Sequence, residues 1–335
     1  MKEFPSNQKL LKRTKVPKSL SSKDFQLGSQ IVLFSRDLLL VKYADNCTAQ
    51  LEDQKASEEV IAIVPSTLLK KIGNIISELE QNRLKLVACK SLFLNQVLSY
   101  IEDKGLELKF NMPDKVSNGL VIVLAFQGNN SIDIIHDFSE QWEAVYGKVV
   151  CVVTREAVNQ VYDLLLHPTH NTTAQFIDGR STCCVIKPHI IKSHKCGDLI
   201  DKIMKGDMYE ISAIQLFYLD RSTCSDFFSA YNNIITGWKE MMDQLCSGPI
   251  LAMEVLQKDY VKDNDAVTNF RKLVAGPYDV NIAKELFPLS IRAIFGVNNV
   301  QNAIHCTDLS EDGVAEVSYF FQLLASLGNT PLDSD

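Results

Sequence analysis

Long apolar runs are missing from this sequence. The longest, LVIVLAF at 120–126, falls far short of a membrane span, which takes about 20 residues. The opening MKEFPSNQKLLKRTK has no apolar core of the kind that directs secretion. Cationic excess is also missing: 34 Lys and Arg stand against 41 Asp and Glu, a net charge of -7. That argues against general nucleic-acid binding. Nine cysteines include no Cys-x-x-Cys pair, and Cys183 and Cys184 are adjacent, which is poor disulfide geometry. The expectation is reduced, intracellular cysteine, with no disulfide framework and no metal site. Without a secretion signal, the patterns Asn46-Cys-Thr and Asn171-Thr-Thr are expected to stay unglycosylated.

The composition that remains is that of a soluble globular protein, 46% hydrophobic and 22% charged. A length of 335 residues suggests two domains with an added module. Charge is uneven. Residues 1–23 carry Lys2, Lys9, Lys12, Arg13, Lys15, Lys18 and Lys23 against Glu3 and no other acid. Such an arm is either a solvated terminus or a dock for an acidic surface.

Three segments follow along the chain. In 1–50, QIVLFSRDLLLVKYAD reads as a hairpin broken at Ser35-Arg36-Asp37. In 58–167, strand-like and helix-like stretches alternate. EVIAIVP, RLKLVACKSLFL, LVIVLAF and KVVCVV are the strands. LLKKIGNIISELEQ, NQVLSYIEDKG, SIDIIHDFSEQWEAVYG and REAVNQVYDLLLH are the helices. After a polar linker, 168–180, residues 181–323 repeat that order, and 324–335 form a tail. There TCCVIKP, YEISAIQLFYL and GPILAMEVL are strands, and SDFFSAYNNIITGWKEMMDQLC reads as one helix. QNAIHC leads into a last helix with Ser310 placed to cap it. The pattern is a degenerate βαββαβ repeat. The expected fold is α+β, two tandem ferredoxin-like sandwiches with helices on one face of each sheet.

The second repeat holds the chemistry. Phosphoryl transfer needs cations around the phosphates, a nucleophile and a group to orient it. Lys187, Arg271, Lys272, Arg292, Asn302, His305, Thr307 and Glu316 offer these parts. A neutral imidazole is nucleophilic at physiological pH, and a carboxylate can fix its tautomer. By spacing alone, a loop histidine near acids does not define a site.

Four stretches carry more. CCVIKP, SGPILAMEV, SIRAIFG and NAIHCTD, in that order, resemble motifs of the nucleoside diphosphate kinase family. The resemblance implies His305 as the phosphorylated histidine, Glu316 as its ring-orienting carboxylate and Lys187 as a phosphate-binding lysine. It implies nucleotide contacts from Arg292, Asn302 and Thr307, from Arg271 or Lys272, and from Trp238 as the ring stacked on the base. The family's active-site tyrosine falls at Phe228, which keeps a ring and loses a hydroxyl. Other departures are His189-Ile190 after Lys187-Pro188, Tyr278 for a phosphate-contacting threonine, and Cys306 for a glycine. The implied cofactor is Mg2+ bound with ATP or a nucleoside diphosphate.

The first repeat is similar but eroded. Val64 stands where the lysine belongs, and valine or cysteine in KVVCVV stands where the histidine belongs. Residues 10–49 resemble the end of a DM-ten module, truncated at its start. That arrangement, DM-ten then two kinase-like repeats, resembles the homologue-seven members of the family. The resemblance implies a cytoplasmic, cytoskeletal location in the axoneme of cilia or flagella, with tubulin, the doublet microtubule and other axonemal proteins as partners. It implies no membrane or nucleic-acid partner. Two functions are expected from it: a structural protein inside doublet microtubules whose kinase domain is auxiliary, or a working kinase passing phosphate from NTP to NDP through phosphohistidine.

Overall fold

A computed structural model describes residues 30–33, 36–39, 41, 57–103, 119–146, 150–152, 161, 165, 171–232, 234, 237–258 and 265–327. The basic arm, most of the DM-ten-like stretch, most of REAVNQVYDLLLH and the tail beyond 327 lie outside these residues. The chain divides into two compact units, Met1–Ser57 and Glu58–Asp335.

In the first unit β1 (Gln30–Leu33) pairs antiparallel with β2 (Arg36–Leu39), with Leu33 opposite Arg36. The expected hairpin is present, though Arg36 and Asp37 open β2 and do not form the turn.

The second unit is built on one sheet. The first repeat supplies β3 (Ser57–Pro65), α1 (Ile72–Gln81), β4 (Lys85–Phe93), α2 (Leu94–Asp103), β5 (Leu120–Asn129), α3 (Ser131–Tyr146) and β6 (Val150–Val152). The second supplies β7 (Ser181–Ile186), α4 (Pro188–Lys192), α5 (Cys196–Met204), β8 (Tyr209–Phe217), α6 (Arg221–Phe227), α7 (Trp238–Leu245) and β9 (Ile250–Gln257). It continues with α8 (Ala266–Asn269), α9 (Val280–Leu286), α10 (Ile291–Phe295), β10 (Ile304–Cys306) and α11 (Gly313–Ser318).

Strand order is β10-β7-β9-β8-β4-β5-β3-β6. Within each repeat this is the ferredoxin-like order of fourth, first, third and second strand, read outward-in from either edge. The repeats therefore do not stand apart. They meet at an antiparallel seam, Lys90 of β4 opposite Gln215 of β8, and share eight strands. Helices α1 and α5 cross the same seam. A Cβ on Gly73 would lie 2.3 Å from the Asp201 amide nitrogen, and one on Gly197 would lie 2.1 Å from that of Ser77. Only glycine lets these two backbones touch.

Both faces of the sheet are covered, contrary to the one-face expectation. Cys184 and Ile186 of β7 join one apolar cluster, which also holds Val60, Ala62, Ile75, Ile76, Leu199 and Ile200 and runs across the seam. Cys183 and Val185 face a second cluster with Met241, Leu245, Phe320 and Phe321. Ile61 and Ile63 face a third with Leu94 and Val97. The cause is in the sequence: these strands are continuous apolar runs, which need cover on two sides, and not the alternation of a half-solvated sheet.

Two local expectations change. SDFFSAYNNIITGWKEMMDQLC is not one helix; α6 ends at Phe227, Ser229–Tyr231 make a single tight turn, and α7 restarts at Trp238. Gly237, with φ 84°, sits at the restart, where a helix interior would not tolerate that backbone. Ser310 does not cap the last helix; its hydroxyl donates to Asp265 Oδ2, 2.5 Å away.

Candidate active site

Strand β7 ends at Ile186, Lys187 follows it as the N-cap, and Pro188 opens α4 at the position where a missing N–H costs nothing. The Lys187 amide donates to Ala303 O at 3.0 Å, which fixes the approach to β10. Ala303 adopts φ 74°, an uncommon left-handed turn for a residue with a side chain. His305 follows in β10, opposite Val185.

The imidazole is 8% exposed. Its Nε2 lies 3.0 Å from Glu316 Oε2. The carboxylate accepts, so Nε2 carries the proton and Nδ1 keeps the lone pair. Nδ1 has no hydrogen-bond partner among the described residues. Glu316 is held in turn by Thr307, whose hydroxyl donates to the same oxygen at 2.9 Å and accepts from the Cys183 amide at 3.0 Å. Gly313 lets α11 settle on β7, since a Cβ there would lie 2.7 Å from Ser181 O. Phe227, Phe228 and Tyr231 set their rings edge-on to the imidazole at 5.4, 5.1 and 6.0 Å.

A second group of side chains sits on the residues just before the histidine. Lys187 is 2% exposed, and its Nζ donates to Val300 O at 3.0 Å. Arg292, 5% exposed, donates from Nη1 to Gly276 O at 2.8 Å and from Nη2 to Ile304 O at 3.4 Å. Its Nε has no partner, and its guanidinium lies 5.8 Å from the Tyr278 ring centre. Asn302 is fully buried; its Nδ2 donates to Tyr278 O at 3.4 Å, and its Oδ1 has no partner. Neither cation has a carboxylate partner among the described residues. Burial, and after it the positive Arg292, pull the Lys187 pKa down to about 7. Burial and then Lys187 pull His189 down to about 4. Two buried basic side chains with no counter-ion, one of them with an orphaned N–H, make a region that an anion would complete, while Asn302 Oδ1 is an acceptor that calls for a donor such as a hydroxyl.

Of the residues expected from sequence, His305, Glu316, Thr307 and Phe228 form one group, and Lys187, Arg292 and Asn302 the adjoining one. Thr307 is fully buried, with its hydroxyl committed to Glu316 and Cys183, so its place is behind the histidine. Arg271 is half-exposed and reaches Asp308, Nη2 to Oδ1 at 3.2 Å. Trp238 is half-buried against the α6–α7 cluster and makes no ring contact with His305. Sequence reasoning missed Phe227, Tyr231 and Asp308. Tyr231 donates its hydroxyl to Asp308 Oδ2 at 2.6 Å, which brings a phenol back beside the ring that Phe228 cannot supply. Burial, and then Asp308, push that phenol well above its ordinary pKa. Asp308 sits inside the NAIHCTD motif, and Phe227 and Tyr231 lie one helical turn apart, so both signals were present.

The first repeat can now be placed residue by residue. Pro65 closes β3 as Pro188 follows β7, which sets Val64, fully buried, at the position of Lys187. Cys151 pairs with Ala62, two residues before Val64; His305 pairs with Val185, two before Lys187. Cys151 therefore occupies the histidine's register position. Between the third and fourth strands the first repeat has only residues 130–149, whereas the second has 258–303, which carry Arg271, Arg292 and Asn302.

The nucleoside diphosphate kinase family model matches residues 180–325. The mouse protein "Nucleoside diphosphate kinase homolog 7" is 29% identical over 97% of this chain and 86% of its own length. "Probable nucleoside diphosphate kinase 5" of Arabidopsis thaliana is 32% identical over 42% of this chain and 92% of its own. The chain belongs to the nucleoside diphosphate kinase family. A crystal structure of the Aquifex aeolicus nucleoside diphosphate kinase covers 44% of this chain and 97% of its own, at 26% identity and a TM-score of 0.38. Within this member of the kinase family, the family match coincides with the repeat that holds His305, Glu316, Lys187 and Arg292. Members of the kinase family generally use Mg2+ with their nucleotides. No cluster of three His, Cys, Asp or Glu able to hold a metal occurs among the described residues. Mg2+ fits this site only as an ion brought in on nucleotide phosphates.

Proposed function

We infer that the second repeat is a phosphotransferase that takes the terminal phosphate of a nucleoside triphosphate onto His305 and returns it to a diphosphate. The observation that carries this reading is the His305–Glu316 pair at 3.0 Å with Nδ1 unpartnered, together with two buried basic side chains, Lys187 and Arg292, that have no carboxylate partner and donate to Val300 O and Ile304 O on the chain leading into His305. In the first half-reaction Nδ1 attacks the phosphorus. An N–P bond forms, the P–O bond to the diphosphate breaks, and the diphosphate leaves with the electron pair. Lys187 and Arg292 offset phosphate charge in a site with little water, and Glu316 holds Nε2–H as the ring becomes cationic. The second half-reaction reverses these steps onto a new diphosphate. Bound Mg2+ would neutralise phosphate charge during both. The first repeat has neither the lysine nor the histidine, so the full chain should bind ADP at one site. Equilibrium titration tests this; a stoichiometry of two would contradict it.

A second reading concerns docking on an axonemal microtubule. It is supported by large apolar side chains left exposed on consecutive elements: Leu273, Ile282, Leu286, Phe287, Leu289, Ile294 and Val297, from 45% to 75% accessible. Such surface on a soluble protein marks a partner. The basic arm at 1–23 complements an acidic wall such as tubulin's. A repeat that keeps its core while losing its chemical groups fits selection for a binding surface. If this reading holds, the protein fractionates with axonemes and resists salt extraction, and deletion of residues 1–50 releases it. A fully soluble protein in ciliated cells would rule it out.

A further inference from the structure

Seven cysteines among the described residues are free thiols. Cys89, Cys183, Cys184, Cys196, Cys224 and Cys306 are buried, while Cys246, just past α7, is half-exposed. Its sulfur lies 3.5 Å from that of Cys224, which is fully buried on α6. No function described above uses this pair.

We propose that Cys224 and Cys246 are a reversible modification site, oxidised to a disulfide by a low-molecular-weight disulfide such as glutathione disulfide. Disulfide sulfurs stand about 2.05 Å apart, so side-chain rotation of about 1.5 Å closes the gap. Exposure sets the order of events. The Cys246 thiolate attacks one sulfur of glutathione disulfide; that S–S bond breaks and one glutathione leaves as a thiolate, which takes up the proton Cys246 gave up. The Cys224 thiolate then attacks the Cys246 sulfur. The protein S–S bond forms, and the second glutathione departs and takes the proton from Cys224. Two protein thiols are oxidised and one glutathione disulfide is reduced to two glutathiones. Buried Cys224 is out of reach of the bulky disulfide, and burial pushes its thiol up and keeps it from attacking first, so Cys246 reacts first and Cys224 is the resolving partner.

The position gives the bond a consequence. The carbonyl of Cys224 accepts from the Phe228 amide at 3.1 Å, in the turn that sets Phe227 and Phe228 against His305. The Tyr319 hydroxyl donates to Asp226 Oδ2 at 2.9 Å and lies 3.3 Å from Thr223 O, on either side of Cys224. Oxidation would thus tie together both ends of the segment from α6 to α7 that walls one side of the histidine.

The test uses the reduced full chain, incubated with glutathione disulfide, digested and mapped by mass. A linked Cys224–Cys246 peptide pair, about 2 Da lighter than the two thiol peptides and restored by dithiothreitol, is the expected product. Cys224→Ser should trap glutathione on Cys246, a gain of about 305 Da, and Cys246→Ser should give neither product. Accumulation of the Cys246 adduct in the unsubstituted chain without the linked pair overturns the proposal. So does an untouched Cys246, or linkage through other cysteines. The readout on the unsubstituted protein stands whether or not either variant folds, and is independent of phosphotransfer.

Discussion

Lys187 should take up a proton when a nucleotide binds. In the free protein its burial holds the pKa at about 7, so at pH 8 about one molecule in ten is charged there. Phosphate oxygens near Nζ favour the ammonium and return its pKa toward the ordinary lysine value of about 10.4. The complex then holds about 0.9 proton more than the free protein. At pH 8 the terminal phosphate is already ionised, its last pKa lying near 6, so it adds little compensating release. Calorimetric titration with ADP at pH 8, in buffers of low and high ionisation enthalpy, reads this number as the slope of apparent enthalpy against buffer enthalpy. A slope near 0.9 is expected for the wild type and near zero for Lys187→Met. Saturable binding with zero slope in the wild type would refute the reasoning, because Lys187 would then be charged before the ligand arrives or distant from it. The same group fixes a sign for stability. Between about pH 7 and 10.5 the unfolded chain binds more protons at Lys187 than the folded one, so this contribution to stability rises with pH across that window.

Gly197→Val should drive α1 and α5 apart at their backbone contact and destabilise the fold by about 1–3 kcal/mol or more, read as a lower urea midpoint. Glu80 accepts from the Cys196 and Gly197 amides, 3.2 and 2.9 Å away, at the start of α5, and burial raises its pKa from 4.5 to about 7. The folded state binds the extra proton, so this contribution is full below about pH 4.5 and is lost as pH rises through 7. Glu80→Gln should flatten that part of the pH–stability profile, and an unchanged profile would show that Glu80 is ionised throughout. Glu316→Ala should destabilise the fold by about 1–3 kcal/mol, read as a lower urea midpoint, because the His305 Nε2–H and the buried Thr307 hydroxyl lose their acceptor. It should also slow phosphate capture by His305 at least about tenfold, because the ring loses its tautomer lock.

The candidate site was legible because its residues lie in short motifs. Lys187 stands at a strand end, His305 sits in NAIHCTD, and Glu316 follows eleven positions on, so local pattern carried them. Val64 was placed by the proline that follows it, and register then chose Cys151 over its neighbouring valines. Three features were not legible. The seam between β4 and β8 joins strands over 100 residues apart, and no local pattern encodes that pairing. The break between α6 and α7 was hidden because Phe227, Phe228 and Tyr231 keep helical spacing up to the point where Gly237 interrupts it. Tyr231 and Asp308 meet across 77 positions of the chain, a contact that no local motif encodes. The seam also has a practical meaning: cutting the chain at 168–180 would expose an apolar core that spans both repeats.

The proposed function turns on phosphate capture by His305. The full-length chain, incubated with Mg2+ and ATP labelled at the terminal phosphate, should acquire an acid-labile, base-stable label. Peptide mapping should place that label on His305, and His305→Ala should abolish it while ADP binding persists. Folded wild-type protein that binds ADP at one site yet takes no label would contradict the account.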